Sequence, residues 1–299
     1  RNVCDGGAAV RAERGWARKM QSASKSDSLS LQLYEACEKG NEGAVRRLAR
    51  SIVSDMTQDA SIDDRFRDGT TALWVACKGG ALGCVEALLA ARAKTTLMTS
   101  AGYSCLWIAA REGRANVVQL LLREHRGLLD LAAADGRSPL YAACEAGRLA
   151  CVQALIDARA GLEATRSDGS TALITAAYLG HTEVVQALLS AGASLDPHDA
   201  DGTALDNAVK QRRAPVEELL EAAHAERRAK AAARLAALSV DGKKDVEALA
   251  AAVAHSRKAG ISEAELRRLT SGACSNLVSA STPSGDGDGG ASGGGGGSG

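Results

Sequence analysis

Aromatic rings are scarce in this chain: one phenylalanine, three tryptophans and four tyrosines make up 3% of 299 residues. A deep globular core draws on more large rings than that, whereas a thin core shared between stacked layers does without them. An excess of charge is also missing. Lysine plus arginine and aspartate plus glutamate stand at 36 each, so no global field draws the chain toward nucleic acid or a membrane surface, and charge arguments have to be local. Unbroken apolar runs such as ALAAAVA at 248–254 fall far short of the roughly 20 residues that cross a bilayer, so no membrane span is expected.

Paired cysteine motifs are absent too. The eight cysteines contain no C-x-x-C. Cys37, Cys77 and Cys144 share one repeat register and Cys84 and Cys151 another. Both registers are expected to face the core, where a thiol acts as a small hydrophobe. Free buried thiols are expected rather than disulfides or metal ligands, which points to a reducing compartment: the cytoplasm, with the nucleus as alternative. No phosphate loop, nucleophile elbow or paired-histidine metal helix occurs. His125, His181, His198, His224 and His255 sit in different units with no carboxylate or cysteine at ligand spacing. The DGDGG run near the C-terminus lacks the closing glutamate of a calcium loop. The chain is therefore read as a non-enzyme with no catalytic residues, metal or cofactor.

What the sequence does have is repetition. DGTTALWVACKGG (68–80) returns as AGYSCLWIAAREG (101–113), DGRSPLYAACEAG (135–147), DGSTALITAAYLG (168–180) and a shortened DGTALDNAVKQR (201–212). The turn glycines Gly69, Gly102, Gly136, Gly169 and Gly202 are 33, 34, 33 and 33 residues apart. A fixed period in this range marks a stacked solenoid. Thr71, Ser104, Ser138, Thr171 and Thr203 are placed to cap a short helix, and Pro139 suits the first helical turn. Leucine followed three residues later by alanine gives that helix a narrow apolar stripe. Gly80, Gly113, Gly147 and Gly180 are expected to end it in the left-handed conformation. A second run, such as VVQLLL (117–122) or VVQALL (184–189), makes a returning helix. Alone, such a pair cannot cover its apolar face; stacked, neighbours bury a continuous core.

These residues closely resemble the ankyrin repeat, with four full copies, a shortened fifth and a partial front copy, LYEACEKGNEGAVRRL (33–48), that reads as a cap. AGASLDPHDADG (191–202) is similar to the family's inter-repeat hairpin. The resemblance implies an all-α, ankyrin-type α-solenoid of about six helix-turn-helix layers with β-hairpin loops, a stack about 50–60 Å long. Three departures stand out. The family's histidine after the leucine is replaced by Trp74, Trp107, Tyr141, Ile174 and Asp206, for which ring packing between layers is expected. The loop glycine kept as Gly192 is Arg92 and Arg159 elsewhere, which predicts mild strain. An insertion lies within SIVSDMTQDASIDDR (51–65), a loop position that tolerates length and often carries function.

Four segments follow: a leader (1–28) expected to be disordered, its Asp5 and Glu13 weighing against a transit peptide; the repeat domain (29–222); a helical extension (223–270); and a Gly/Ser-rich tail (271–299) expected to be disordered. In the extension, 217–238 has no breaker and reads as a long, coiled-coil-like helix, DGKK turns the chain, 245–260 forms a second helix, and Ser262 with Glu265 makes a capping box.

Members of the family bind mostly through hairpin tips and the exposed side of the first helices. Carried over, that concave face holds Phe66, Arg67, Lys78, Tyr103, Arg111, Glu112, Arg137, Glu145, Tyr178, Leu179 and Lys210. Tyrosine and arginine dominate interface hot spots; the opposing reading has Phe66 folded under the insertion and the tyrosines packed on neighbouring tips. A non-catalytic module or scaffold binding an unidentified protein partner, as a monomer, is expected. One alternative is an acidic-partner or nucleic-acid binder using a basic stripe of Arg227, Lys230 and Arg234 with Arg228 beside it. No aromatic interleaves that stripe, which counts against nucleic acid. Another is a targeting domain of a larger enzyme.

Overall fold

The computed structural model describes residues 25–54, 61–240, 246–259, 261 and 266. They form two compact units, one ending at Glu221 and one beginning at Ala222. Thirteen α-helices are present among the described residues, and no helix is long and apolar enough to cross a membrane.

In the first unit helices follow one another in pairs: α1 (Lys25–Glu38) with α2 (Glu42–Ser54), α3 (Ala72–Gly79) with α4 (Leu82–Ala90), α5 (Cys105–Arg111) with α6 (Ala115–Glu124), α7 (Pro139–Glu145) with α8 (Leu149–Asp157), and α9 (Ala172–Leu179) with α10 (Thr182–Ser190). The strands β1 (His198–Asp199) and β2 (Gly202–Thr203) then lead into α11 (Ala204–Lys210), which α12 (Ala214–Val240) follows. First members pack in one row, α1, α3, α5, α7, α9, α11, and second members α2 to α10 in another. This is the all-α stack of helix pairs expected from the period.

Local chemistry sets each layer. The side-chain oxygens of Thr71, Ser104, Ser138, Thr171 and Thr203 each accept the backbone N–H three residues on, at 3.1 to 3.3 Å. Asp206 completes a capping box at the last of them. Gly80, Gly113, Gly147 and Gly180 end helices or follow their ends at φ of 66 to 82°. Leu73, Leu106, Leu140 and Leu173 are no more than 2% exposed, each worth about 2 kcal/mol of burial. Ala76, Ala109, Ala143, Ala176 and Ala208 are wholly buried, and their small side chains let the first-row helices approach closely. Val85, Val118, Val152 and Val185, with the leucine three residues after each, fill the second row.

Two ladders of polar bonds tie layer to layer, and neither was foreseen from the sequence. In one, the residue after each helix-ending position reaches back to the preceding short helix. Arg114 Nε donates to the Lys78 carbonyl at 3.2 Å, Arg148 Nε to Arg111 at 3.3 Å and Arg213 Nε to Tyr178 at 3.3 Å, while His181 Nε2 lies 3.3 Å from the Glu145 carbonyl. These side chains lie across the glycines: a Cβ on Gly80 would stand 2.6 Å from Arg114 Cδ. In the other, a loop carboxylate accepts an N–H from the next loop. Asp63 takes Lys94 at 2.8 Å, Asp130 takes Gly161 at 2.9 Å and Glu163 takes Ser194 at 2.7 Å.

The turn tips are tighter than full hairpins. Among the described residues only β1 and β2 pair as strands, His198 with Thr203 and Asp199 with Gly202. Each of the other tips closes on two backbone bonds: Phe66, Thr99, Ala133 and Arg166 donate to the carbonyls of Thr70, Tyr103, Arg137 and Ser170, and accept from Gly69, Gly102, Gly136 and Gly169. Ser100 N–H then bonds the Asp68 carbonyl at 2.8 Å and Ser167 N–H that of Asp135 at 3.1 Å, linking successive tips. The single 34-residue interval holds a short 3-10 turn at Arg126–Leu128, which takes up the added residue. Arg92 and Arg159 sit at φ 63 and 70°, the left-handed conformation anticipated for a missing glycine, and Arg212 at φ 55° replaces the helix-ending glycine of the last repeat.

The insertion is anchored on its far side. Residues 55–60 lie outside the described residues, but Ile62 is buried, Asp64 accepts from Ser30 Oγ of α1, and Asp63 holds Lys94 as above. Helix α1 starts at Lys25, inside the segment expected as leader. Leu33, Ala36 and Cys37 are buried on it, and a helix fixed by packing extends cheaply upstream. Residues 1–24 lie outside the described residues.

In the second unit, Ala231 of α12 and Ala252 of α13 (Val246–Lys258) form one small core with Ala259, Ile261 and Leu266. The DGKK turn, the Ser262–Glu265 box and the tail lie outside the described residues.

Two predictions follow from these constraints. Gly80 needs both a left-handed backbone and room for Arg114, while Gly192, at φ 90°, has open space around it. Gly80→Ala is expected to cost about 2–3 kcal/mol and Gly192→Ala about 1 kcal/mol in urea unfolding; adding Arg114→Ala recovers part of the first loss, and equal costs at both sites would remove the overlay. The second concerns the thiols. Cys37, Cys77, Cys84, Cys105, Cys144 and Cys151 are free and buried. Burial pushes Cys37 from 9.0 up to about 12 and Cys151 to about 11, and raises Cys77, Cys84 and Cys144 as well. A raised thiol contributes stability below its unfolded value that is lost as pH climbs through the folded one. The melting temperature is expected to fall progressively above about pH 9, less steeply in Cys37→Ala, Cys144→Ala; identical slopes would assign the loss to other groups.

Candidate interaction surface

The first-row helices present one position, seven residues past each cap, on the side away from the core: Lys78, Arg111, Glu145, Tyr178 and Lys210. The residue just before each cap, at the end of the turn, is Thr70, Tyr103, Arg137 or Ser170. From these two rows the structure brings Tyr103, Arg137 and Glu145 into one cluster at the centre of the stack.

Tyr103 stacks on Trp107 with ring centroids 4.0 Å apart and planes 18° from parallel. From the next layer, the Arg137 guanidinium lies 5.7 Å from the Tyr103 ring centre and 5.5 Å from that of Trp107. Its Nη2 donates to Tyr103 Oη at 2.9 Å, its Nε to Asp135 at 2.7 Å and its Nη1 to Glu145 at 3.1 Å. Burial opposes the charge on Arg137, yet Glu145, Tyr103 and Asp135 together outweigh it and hold the guanidinium above its ordinary value. The planar fork satisfies two carboxylates and a phenol at once, which a lysine ammonium cannot reproduce. Next along, Thr175 Oγ1 donates to Tyr141 Oη at 2.8 Å, and a hydrogen bond to Tyr141 helps keep Arg166 charged.

The ring packing expected for the residues that replace the family histidine takes a different form. Trp107 and Tyr141 are buried, but among the described residues the ring pairs are Tyr103 with Trp107 and Tyr34 with Phe66. Trp74 and Trp107 do not stack on each other across layers; Arg137 and Thr175 make the interlayer contacts instead. The indole N–H groups of Trp74 and Trp107 have no hydrogen-bond partner.

The anticipated contact residues therefore divide. Tyr103, Arg137 and Glu145 are drawn together and engaged with one another. Lys210 bonds Asp201, its neighbour in the last tip, at 3.2 Å. Phe66 is half-buried, its ring 4.6 Å from that of Tyr34 on α1, so it packs on the cap layer. The side chain of Arg67 lies outside the described residues. Glu112 is half-buried at the end of α5. Lys78 and Arg111 are exposed, each held over an indole four residues back: Lys78 Nζ is 5.9 Å from the Trp74 ring and the Arg111 guanidinium 5.6 Å from that of Trp107. Tyr178 is 43% exposed, one of the few large apolar side chains so open, with half-buried Leu179 beside it. Asp135 and Trp107 are members of the cluster that the sequence reading did not place there, although the Asp-Gly turn had marked the first.

The basic stripe is partly engaged within its own helix. Lys230 pairs with Glu226 at 2.7 Å and Arg228 Nε donates to the His224 carbonyl at 3.3 Å. Among the described residues no group of His, Cys, Asp and Glu is arranged to hold a metal ion.

A family model described as ankyrin repeats (3 copies) matches residues 33–133, 80–167, 106–201 and 140–230. Among solved structures, the chain is similar to an ankyrin repeat domain from Acinetobacter baumannii AYE, at 26% identity over 64% of this chain and 96% of that one, with a TM-score of 0.55. A second ankyrin repeat protein is 25% identical over 64% of this chain and 97% of its own, with a TM-score of 0.57. No curated protein matches.

The cluster makes a prediction about stability. Arg137→Ala leaves Asp135 and Glu145 facing each other without a cation and is expected to cost about 1–2 kcal/mol, with Arg137→Lys between; exposed Arg111→Ala is expected to cost under about 0.5 kcal/mol. Urea unfolding followed by tryptophan emission reads both, and equal losses would mean that Arg137 does not hold the layers.

Proposed function

The chain belongs to the ankyrin repeat family, and we propose that it is a non-catalytic module that takes a protein partner across the concave face and turn tips of its stack. Ankyrin repeats are generally protein–protein interaction modules and the family is typically non-catalytic. The observation that carries the reading is the open row of Lys78, Arg111 and Tyr178, mounted on helices whose own cores are closed. Side chains held on rigid helices lose little conformational freedom on binding, so contact area is converted efficiently into affinity. Tyrosine and arginine at its centre supply large, amphipathic contacts. The engaged trio of Tyr103, Arg137 and Glu145 serves as the floor between them. The six buried free thiols among the described residues support a reducing compartment, and the reading we propose is the cytoplasm, with the nucleus as alternative. Nothing in the geometry favours the stripe Arg227, Lys230 and Arg234 over a solvated helix face.

The test is capture of a partner from native lysate, with nuclease, by wild type beside Arg111→Glu, Tyr178→Ala and beside the triple alanine variant of the stripe. Loss of the same protein by at least about tenfold in the first variant alone, with unchanged circular dichroism and melting, is the expected result. Retention in that variant and loss in the other would move the binding site to α12.

A further inference from the structure

The exposed row has a polarity. On the short-helix face from Asp135 onward, carboxylates are already matched within the chain: Asp135 and Glu145 by Arg137, Asp168 by Arg166 at 3.1 Å, and Asp201 by Lys210. In the layers of α3 and α5 the balance reverses. Lys78 and Arg111, equivalent positions of adjacent layers, make no ion pair among the described residues; each is steadied over an indole. Arg114 and Arg148 are exposed, and the bond each makes from Nε goes to a neutral carbonyl, so their charge is not compensated there. Among the described residues, the unmatched carboxylates of this stretch are Asp68 and Glu112, with exposed Glu38 holding the place of Lys78 on α1. Two layers beyond Arg111, Tyr178 and Leu179 offer an apolar patch.

Resting on the interaction-module reading above, we propose that the partner contributes an extended acidic segment: adjacent carboxylates on Lys78 and Arg111, and an apolar side chain on Tyr178 and Leu179. Layers about 8–10 Å apart place the two contacts roughly 16–20 Å from each other, which an extended strand spans in about five or six residues. Nucleic acid fits this surface less well. Its affinity comes from many phosphate contacts and from stacking on open rings, whereas Trp107 is 1% exposed and Trp74 and Trp107 are overlain by cations. Complementary charge steers encounter and sets selectivity, while the aromatic contact slows release.

The experiment uses the full chain to select from displayed random peptides of about twelve residues, long enough to span the two contacts in extended form, with an oligodeoxythymidine as competitor. Wild type is expected to enrich peptides with paired Asp or Glu and an apolar residue five or six positions away. Lys78→Glu, Arg111→Glu is expected to lose those peptides by about tenfold or more and to enrich Lys- or Arg-containing ones instead. Tyr178→Ala keeps the acidic preference and drops the apolar one. Enrichment without charge bias, enrichment of basic peptides by wild type, no enrichment, or displacement by the oligonucleotide would each overturn the assignment. If the lysate capture still depends on Arg111 and Tyr178 in that event, the module reading stands and only the acidic partner falls.

Discussion

A pair of short helices has more apolar surface than it can cover by itself, and every other feature of this protein answers that shortage. Leu73, Leu106, Leu140 and Leu173 are buried because a neighbouring layer lies on them, and Ala76, Ala109, Ala143 and Ala176 are small because that layer has to come close. The scarcity of large rings follows from the same geometry. Between two rows of helices there is space mainly for leucine, valine and cysteine; the few described rings are buried singly, as Trp107 and Tyr141 are, or pair within the first row and its tips, Trp107 with Tyr103 and Phe66 with Tyr34.

Apolar contact alone does not set the register of one layer on the next. That is done by bonds in which one partner is a backbone atom, since backbone atoms recur at every repeat whatever the side chains do. Arg114, Arg148, His181 and Arg213 address the carbonyls at the ends of the preceding short helices. Asp63, Asp130 and Glu163 address the amides of the following loops. An orphan carbonyl at a helix end would otherwise depend on water, so the same bond caps one layer and fastens another. The flat course of Arg114 over Gly80, of Arg148 over Gly113 and of Arg213 over Gly180 gives those glycines a second reason to lack a side chain, besides their positive φ.

Much of this was legible in the residues. Period, caps, helix-ending glycines and the strain at Arg92 and Arg159 are local properties, decided within a few residues of the chain, and local rules read them. The ladders were not read, although the signal was present: Arg114, Arg148 and Arg213 stand in the register of His181. What hid them was that an exposed arginine looks like a solvated one until the carbonyl of another layer is seen beside it. The central cluster escaped for a related reason. Tyr103, Arg137 and Glu145 were all picked out as contact residues, but nothing in their spacing says that Arg137 turns toward Tyr103 of one layer and Glu145 of its own rather than toward a partner. Trp107 was foreseen to pack on rings of adjacent layers; it packs on a ring of its own repeat and on a guanidinium of the next.

Equivalent positions in a repeat thus acquire different fates from their neighbours. Glu145 and Arg111 occupy the same place on successive helices, yet one is spent on Arg137 and the other is open. Arg137 itself sits where the preceding repeat has Tyr103 and the following one Ser170, so a single change in the tip row consumes a carboxylate in the helix row and leaves its neighbour's cation unmatched. Divergence among otherwise identical layers therefore does two things at once. Where charges meet within a layer the surface is satisfied internally, and where they fail to meet it keeps a chemical character of its own. What internal pairing leaves over on the exposed side of the first-row helices is cationic near Lys78 and Arg111 and aromatic near Tyr178.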